Sequence, residues 1–315
     1  MTAKTSSKPT VFIDGEAGTT GLQLRRRLAR VPGVEVLSIA DGKRKDEYER
    51  LELMRRADLV VLCLPDDAAK GAVGLAESLG AAAPKILDAS SAHRTASGWV
   101  YGFSDMAAGQ DAAIRSAQRV SNPGCYPTGG IALLRPLVQA GMIAKDYPVT
   151  VNAVSGYSGG GRKMIDAYDA GTAPAFELYG LGLEHKHLPE LQAYSLLERR
   201  PVFVPSVGNF LQGMLVSVPL HLDTLPGKPR ARDLEAVLEK HFAGSLQVKV
   251  LKPARGEERL DALALNETDL LELRVFHNEK HGQAVLVARL DNLGKGAAGA
   301  AVQNIGLMLG VDPAS

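Results

Sequence analysis

Cysteine is scarce: two residues in 315, Cys63 and Cys125. Two thiols are too few for a disulfide framework. Net charge is nearly absent as well. The formal balance is +1, which argues against a broad electrostatic surface for nucleic acid or an acidic membrane. A local basic pocket for a small phosphorylated molecule stays compatible with it. No apolar run approaches the roughly 18 residues needed to span a bilayer. Met1 to Pro9 is short and polar, without the apolar stretch of a signal peptide, and is expected to be a loose lead-in. No internal repeat or low-complexity tract is visible. The expected compartment is a reducing cytoplasm, which would keep a reactive thiol free.

What is present is the composition of a globular enzyme, 45% hydrophobic and 23% charged, in a chain long enough for two domains. Thr10–Asp14 is short, β-branched and apolar, and Gly15 stops it; it predicts a buried strand. Helical spacing follows over Leu22–Val31. Val34–Ile39 predicts a second strand and Asp46–Arg56 a charged helix. Leu59–Leu64, closed by Pro65, is a continuous apolar run suited to a central parallel strand. A helix over Ala68–Leu79 and a strand over Lys85–Asp88 continue the alternation. This pace predicts a Rossmann-like, doubly wound α/β sheet. After about Val120 the pattern changes. A turn-rich stretch leads into an apolar helix over Thr128–Ala140. Strand-like runs then dominate: 150–155, 201–204, 214–222, 246–250, 271–276 and 284–290. They predict an α+β substrate domain with a mostly antiparallel or mixed sheet. Gly299–Leu309 predicts a final apolar helix.

Between the first strand and first helix lies Gly15-Glu16-Ala17-Gly18-Thr19-Thr20-Gly21. A strand-to-helix turn aims backbone N–H groups and a helix N-terminus at a pyrophosphate, and glycine removes the Cβ that would block it. Gly15, Ala17, Gly18, Thr19, Thr20 and Gly21 are therefore candidate cofactor-binding residues. An NAD enzyme usually carries an acidic group at the end of the second strand. Here Ser38 is followed by Asp41-Gly42-Lys43-Arg44-Lys45. A hydroxyl and cations suit a 2′-phosphate, so Ser38 and Lys43 point to NADP(H). Asp41 is the competing group, suited to a bare ribose, and the basic run has a second reading as a solvated charge cluster.

Cys125 lies between Gly124 and Tyr126-Pro127, just ahead of a predicted helix. There the dipole and free N–H groups would stabilise a thiolate, the attacking species in thioester chemistry. Cys63, inside an apolar strand, reads as packed and inert.

The stretch Ser121-Asn122-Pro123-Gly124-Cys125-Tyr126-Pro127-Thr128-Gly129 resembles the active-site signature of the N-acetyl-gamma-glutamyl-phosphate reductases. Asp14–Gln23 is similar to the glycine loop of the family's shorter form. Asp88–Arg94, Val154–Arg162, His185–Glu190 and Asp291–Gly299 resemble further family segments, so the similarity runs along nearly the whole chain. Gln212-Gly213 departs from it, where longer members carry Arg-Gly. The resemblance implies a dinucleotide-binding domain over 1–124 and a substrate domain over 125–290. It also implies a C-terminal helix, within 291–315, returning to the first domain. It implies an NADP-dependent acyl-phosphate reductase of arginine biosynthesis that acts through a Cys125 thioester, as a homodimer or homotetramer. His185 and His187 become acid–base candidates, and the sequence leaves open which one serves. Arg94 is the first candidate for a substrate anion because guanidinium is a bidentate fork. Ser91, Arg162 and Glu190 follow as substrate-binding candidates, and Asn292, with Lys295, as a residue that helps place the cofactor's nicotinamide end or the domain interface. The competing readings are an aspartate-semialdehyde dehydrogenase, a lysine-pathway homologue with a one-carbon-longer substrate, and a non-catalytic NADP-binding sensor.

Overall fold

The computed structural model describes residues 8–312 and divides into two compact units; the lead-in residues 1–7 lie outside it. Of the described residues, the first unit comprises 8–104, 109–123 and 298–312, and the second 105–108 and 124–297.

In the first unit the order is β1 (Thr10–Asp14), α1 (Thr19–Leu28), β2 (Glu35–Leu37), α2 (Glu47–Arg56), β3 (Leu59–Leu62), α3 (Asp66–Glu77), β4 (Lys85–Asp88), β5 (Val100–Tyr101), α4 (Gln110–Ser116) and β6 (Arg119–Ser121). The strands form a parallel sheet in the order β2-β1-β3-β4-β6-β5. Alternate residues of β1 face opposite layers. Val11 and Ile13 pack with Leu24, Leu28 and Ile114, whereas Phe12 packs with Met54, Ala69 and Val73. Period-two side chains buried on both faces are what make the strands read as unbroken apolar runs. The chain steps from β1 to β2 on one side, then returns to place β3 on the other. The carboxyl ends of β1 and β3 are therefore the switch point where doubly wound sheets bind ligands.

The second unit opens with α5 (Cys125–Gln139), then β7 (Thr150–Gly156), α6 (Gly161–Asp169), β8 (Phe176–Leu178), α7 (Leu188–Tyr194), β9 (Val202–Gly208), β10 (Met214–His221), α8 (Ala231–His241), β11 (Val248–Val250), β12 (Leu271–Asn278) and β13 (Gln283–Leu290). Its mixed sheet runs β11-β12-β13-β10-β7-β9-β8. α5 and α8 pack on one face. The approach of α5 is close because Gly129 has no Cβ: one placed there would lie 2.9 Å from Val216 and 3.2 Å from Ala288. The other face is half-buried along Asn152, Val154, Leu215, Ser217 and Val287, with Val285 exposed, and lines a cavity of about 1010 Å³. The final helix, α9 (Gly299–Leu309), contributes Ala301, Val302, Ile305 and Met308 to the first unit's core.

Three expectations need correction. α1 begins at Thr19, ahead of the apolar spacing at Leu22, because Gly18 supplies the N-cap. α5 begins at Cys125 itself, ahead of Thr128. The second unit carries three helices besides α5, of which α8 buries Leu234 and Leu238 at helical spacing. No helix among the described residues is long and apolar enough to cross a membrane.

Candidate active site

The glycine loop is a tight turn at the switch point. Gly15 has φ +92, and a Cβ on it would sit 2.3 Å from the Cys63 carbonyl oxygen. A Cβ on Gly21 would sit 2.5 Å from the Gly15 oxygen. The Gly18 N–H donates to the Gly15 carbonyl at 3.0 Å. At the N-terminus of α1, Gly18 offers no side-chain cap and the first turn holds no acidic residue. Ala17 and Gly18 are exposed, Thr19 and Thr20 half-exposed. Uncapped N–H groups and a cradle that any side chain would fill fit a dinucleotide pyrophosphate. At the end of β2, exposed Ser38 donates its hydroxyl to Glu16 Oε2 at 3.3 Å. The same oxygen accepts from Arg25 Nη1 at 2.5 Å. Lys43 instead pairs with Asp46 and Glu49, and its hydrogen bond to Asp46, first among these contacts, raises its pKa. Asp41 pairs with Arg44.

At the end of β4, Asp88 is fully buried and accepts from the Ser90 N–H at 2.9 Å and the Ser90 hydroxyl at 2.7 Å. His93 Nδ1 lies 2.6 Å from the second Asp88 oxygen, and its ring stacks on Trp99 at 4.3 Å. The Ser91 hydroxyl and N–H both donate to Asp66. Arg94 is buried, and its Nε donates to the Asn122 carbonyl at 3.1 Å.

Cys125 is the first residue of α5, with Gly124 as N-cap and no acidic residue in the first turn. The Gly124 N–H donates to Glu190 Oε2 at 3.0 Å, and its carbonyl accepts from both the N–H and the hydroxyl of Thr128. The loop is thus fixed on both sides, and Cys125 stands at the positive end of a 15-residue helix. Cys125 is half-buried and unbridged. The next residue, Tyr126, donates its hydroxyl to the Ser206 carbonyl and accepts from the Tyr179 hydroxyl, each at 3.1 Å. Burial, then the neighbouring Tyr179 and Cys125 charges, pushes the Tyr126 phenol far up; burial also lifts Tyr179 to about 12. Both phenols therefore stay protonated at neutral pH. The His185 and His187 rings meet Tyr126 edge-on at 6.1 and 5.9 Å, and each other at 4.7 Å. His185 Nδ1 accepts the His187 backbone N–H at 3.1 Å, which puts the proton of neutral His185 on Nε2.

A π-turn over Gly294–Ala298 passes Cys125: a Cβ on Gly296 would sit 2.9 Å from the Cys125 Cβ. π-turns recur at functional sites. Beside it, Lys295 is buried against Gln247 and Asp105, and burial lowers its pKa against the pull of Asp105. Asn292 accepts from the Gly213 N–H at 2.8 Å and donates to the Ser158 hydroxyl at 2.9 Å. Gln212 donates to Glu267 at 2.8 Å and Asp291 at 3.1 Å, so its amide ties two carboxylates together.

The second unit thus collects Cys125, His185, His187 and Glu190. The first holds the glycine loop, Ser38, Ser91 and Arg94. Arg162 stands apart: it is exposed on α6 and paired with Asp166 one turn on. Asn292 lies in the second unit, its amide engaged with Gly213 and Ser158. Sequence reasoning passed over Glu16, Arg25 and Tyr179. The first two are nine residues apart, a spacing that signals nothing within a helix or strand.

Residues 125–292 match the family model described as the semialdehyde dehydrogenase dimerisation domain. Solved structures similar in fold include aspartate semialdehyde dehydrogenase II from Vibrio cholerae complexed with ASA. It has TM-score 0.71 and 17% identity, over 96% of this chain and 98% of that one. Aspartate semialdehyde dehydrogenase with NADP from Candida albicans matches with TM-score 0.64 and 14% identity, over 95% and 98%. The fold and family model therefore define the class, that of the semialdehyde dehydrogenases. Proteins named N-acetyl-gamma-glutamyl-phosphate reductase from Brucella ovis and Brucella canis are each 52% identical over 96% of this chain and 99% of their own length. The chain belongs to the N-acetyl-gamma-glutamyl-phosphate reductase family.

Proposed function

We propose that this chain converts N-acetyl-L-glutamyl 5-phosphate to N-acetyl-L-glutamate 5-semialdehyde with NADPH, as a step of arginine biosynthesis. The observation that carries the reading is Cys125 at the uncapped start of α5, beside the residue that both histidine rings meet. The helix N-terminus favours the thiolate, which adds to the acyl carbon. The tetrahedral adduct collapses, the C–O bond to phosphate breaks, and a thioester remains on Cys125. When bound, NADPH supplies the reducing equivalents that bring the thioester to the aldehyde level. Release of the aldehyde returns the sulfur as thiolate. Neutral His185 presents Nε2–H as a donor, and His187 stands beside it; one of the pair takes and returns the proton. Glu190 holds the Gly124 N–H and so fixes where the sulfur points. Arg94 and Ser91 are assigned to the substrate's anionic groups, and Arg162 is a further candidate from an exposed position. Gly15, Ala17, Gly18, Thr19, Thr20 and Gly21 hold the pyrophosphate. Ser38 lies at the adenosine end, and Asn292 acts on the cofactor through the segment it ties down.

The open face of the second unit's sheet fits a homo-oligomer. Its half-buried valine and leucine side chains are of the kind a second copy would cover, in the region matched by the dimerisation-domain model. A cytoplasmic location accords with a thiol that must stay reduced.

The test is phosphate-dependent oxidation of N-acetylglutamate semialdehyde by NADP, the reverse reaction. Free aspartate semialdehyde and the one-carbon-longer acetylated aldehyde complete the panel. Turnover of the acetylated five-carbon aldehyde, lost in Cys125→Ser, is expected. Preference for either of the other aldehydes would overturn the substrate assignment.

A further inference from the structure

We propose that Arg25, held by Glu16 beside Ser38, reads the cofactor's 2′-phosphate, in place of Lys43. This rests on the NADP reading above and narrows it to one guanidinium.

The groups gathered near the adenosine end of a dinucleotide site decide between a free ribose hydroxyl and a phosphate ester. Several cations of this unit belong to the neighbourhood of β1 and β2, and their pairings separate them. Arg50 places both Nε and Nη2 on Asp14 Oδ2, at 3.1 and 2.6 Å, and is mostly buried. Its fork is consumed. Arg44 closes on Asp41 within an exposed turn. Lys43 is divided between Asp46 and Glu49. Arg25 differs in two respects. Its contact to Glu16 uses Nη1, and its side chain is 50% exposed, so Nη2 and Nε can meet a phosphate as a fork. And the carboxylate oxygen that holds it also accepts from the Ser38 hydroxyl, which places guanidinium and hydroxyl on one anchor at the end of β2.

Glu16 explains why the arrangement discriminates. It is 6% exposed, and a buried carboxylate without a cation would repel a phosphate and attract a ribose hydroxyl. Arg25 neutralises it and leaves donors facing outward. The acidic group that NAD enzymes place here is thus present, supplied by the glycine loop and covered by Arg25. The Ser38 hydroxyl can rotate from Glu16 to the phosphate. Arg25→Gln therefore removes the phosphate reader and uncovers the carboxylate in one step.

The test uses the full chain and calorimetric titration with 2′,5′-ADP and with 5′-AMP, so it does not depend on turnover. Wild type should bind 2′,5′-ADP more tightly. Arg25→Gln should weaken 2′,5′-ADP by roughly ten- to a hundredfold while changing 5′-AMP by less than about threefold. Glu16→Gln keeps the guanidinium without the anion beneath it and should bind 2′,5′-ADP at least as well as wild type. If Arg25→Gln unfolds, the Glu16→Gln/Arg25→Gln pair, which buries no unpaired charge, should show the same selective loss. An equal loss of both ligands, or none, in the variants would overturn the assignment to Arg25. So would a Lys43→Gln variant carrying the whole selective loss. Failure of wild type to bind either ligand would overturn the cofactor reading itself, and equal wild-type affinities would overturn recognition of the 2′-phosphate.

Discussion

The two cysteines stand in different local settings, Cys63 where a β-strand has ended and a turn begins, Cys125 where a turn has ended and a helix begins. Cys63 follows β3, its N–H on the Asp14 carbonyl and its own carbonyl against Gly15. Burial pushes its thiol up to about 12, and the Asp88 and Asp14 carboxylates add to the effect. Cys125 follows the turn after β6 and opens a helix with no acid in its first turn. In general a thiol's reactivity is set by the sign of the nearest fixed charge and by solvent access.

The sharpest way to break that comparison is to remove each sulfur. Cys125→Ser should lower phosphate-dependent aldehyde oxidation by at least about a thousandfold, with calorimetric dinucleotide affinity retained. Cys63→Ala should leave turnover within about threefold, because its sulfur takes no part. Comparable losses in the two variants would erase the distinction.

The next test disturbs the supports. Glu190→Gln exchanges a charge-assisted acceptor at the Gly124 N–H for a neutral one and should lower kcat by roughly ten- to a hundredfold. Its pH–rate profile should shift to lower pH, because removing a carboxylate beside the Cys125 turn favours the thiolate. A change in KM alone would make Glu190 a substrate contact. Gly15→Ala forces a Cβ against the Cys63 carbonyl at φ +92 and should cost about 1–3 kcal/mol of stability. Its midpoint in urea and its affinity for 2′,5′-ADP should fall together.

The smallest effect is in pH. Mass-spectrometric mapping after iodoacetamide at neutral pH should find Cys125 carboxymethylated and Cys63 intact. A thiol raised in the folded state from its ordinary 9.0 to about 12 stabilises the fold below pH 9, and that contribution is lost as pH climbs between those values. Cys63→Ala should flatten this alkaline decline in the denaturation midpoint; an unchanged slope would remove Cys63 as its source.

The elements were legible where packing follows local rhythm. β1, β4 and α9 have the bounds their apolar runs predict, because each is buried by its own periodic side chains. The starts of α1 and α5 were not, since glycine N-caps and polar first turns precede the apolar face. α8 escaped notice because its amphipathic spacing lies among strands. The glycine loop and Cys125 were visible as local patterns. Their supports were not: Glu190 reaches Gly124 across 66 positions and Tyr179 reaches Tyr126 across 53. No sequence spacing encodes contacts that the tertiary fold alone creates.

The helix α9 has a consequence for synthesis. Its Ala301, Ile305 and Met308 complete a core whose other walls are β1, β3 and α1. The dinucleotide unit is therefore the first to emerge from the ribosome and the last to be finished. The early strands stay partly uncovered until residues near 308, which follow 124–297 in the chain, can pack on them.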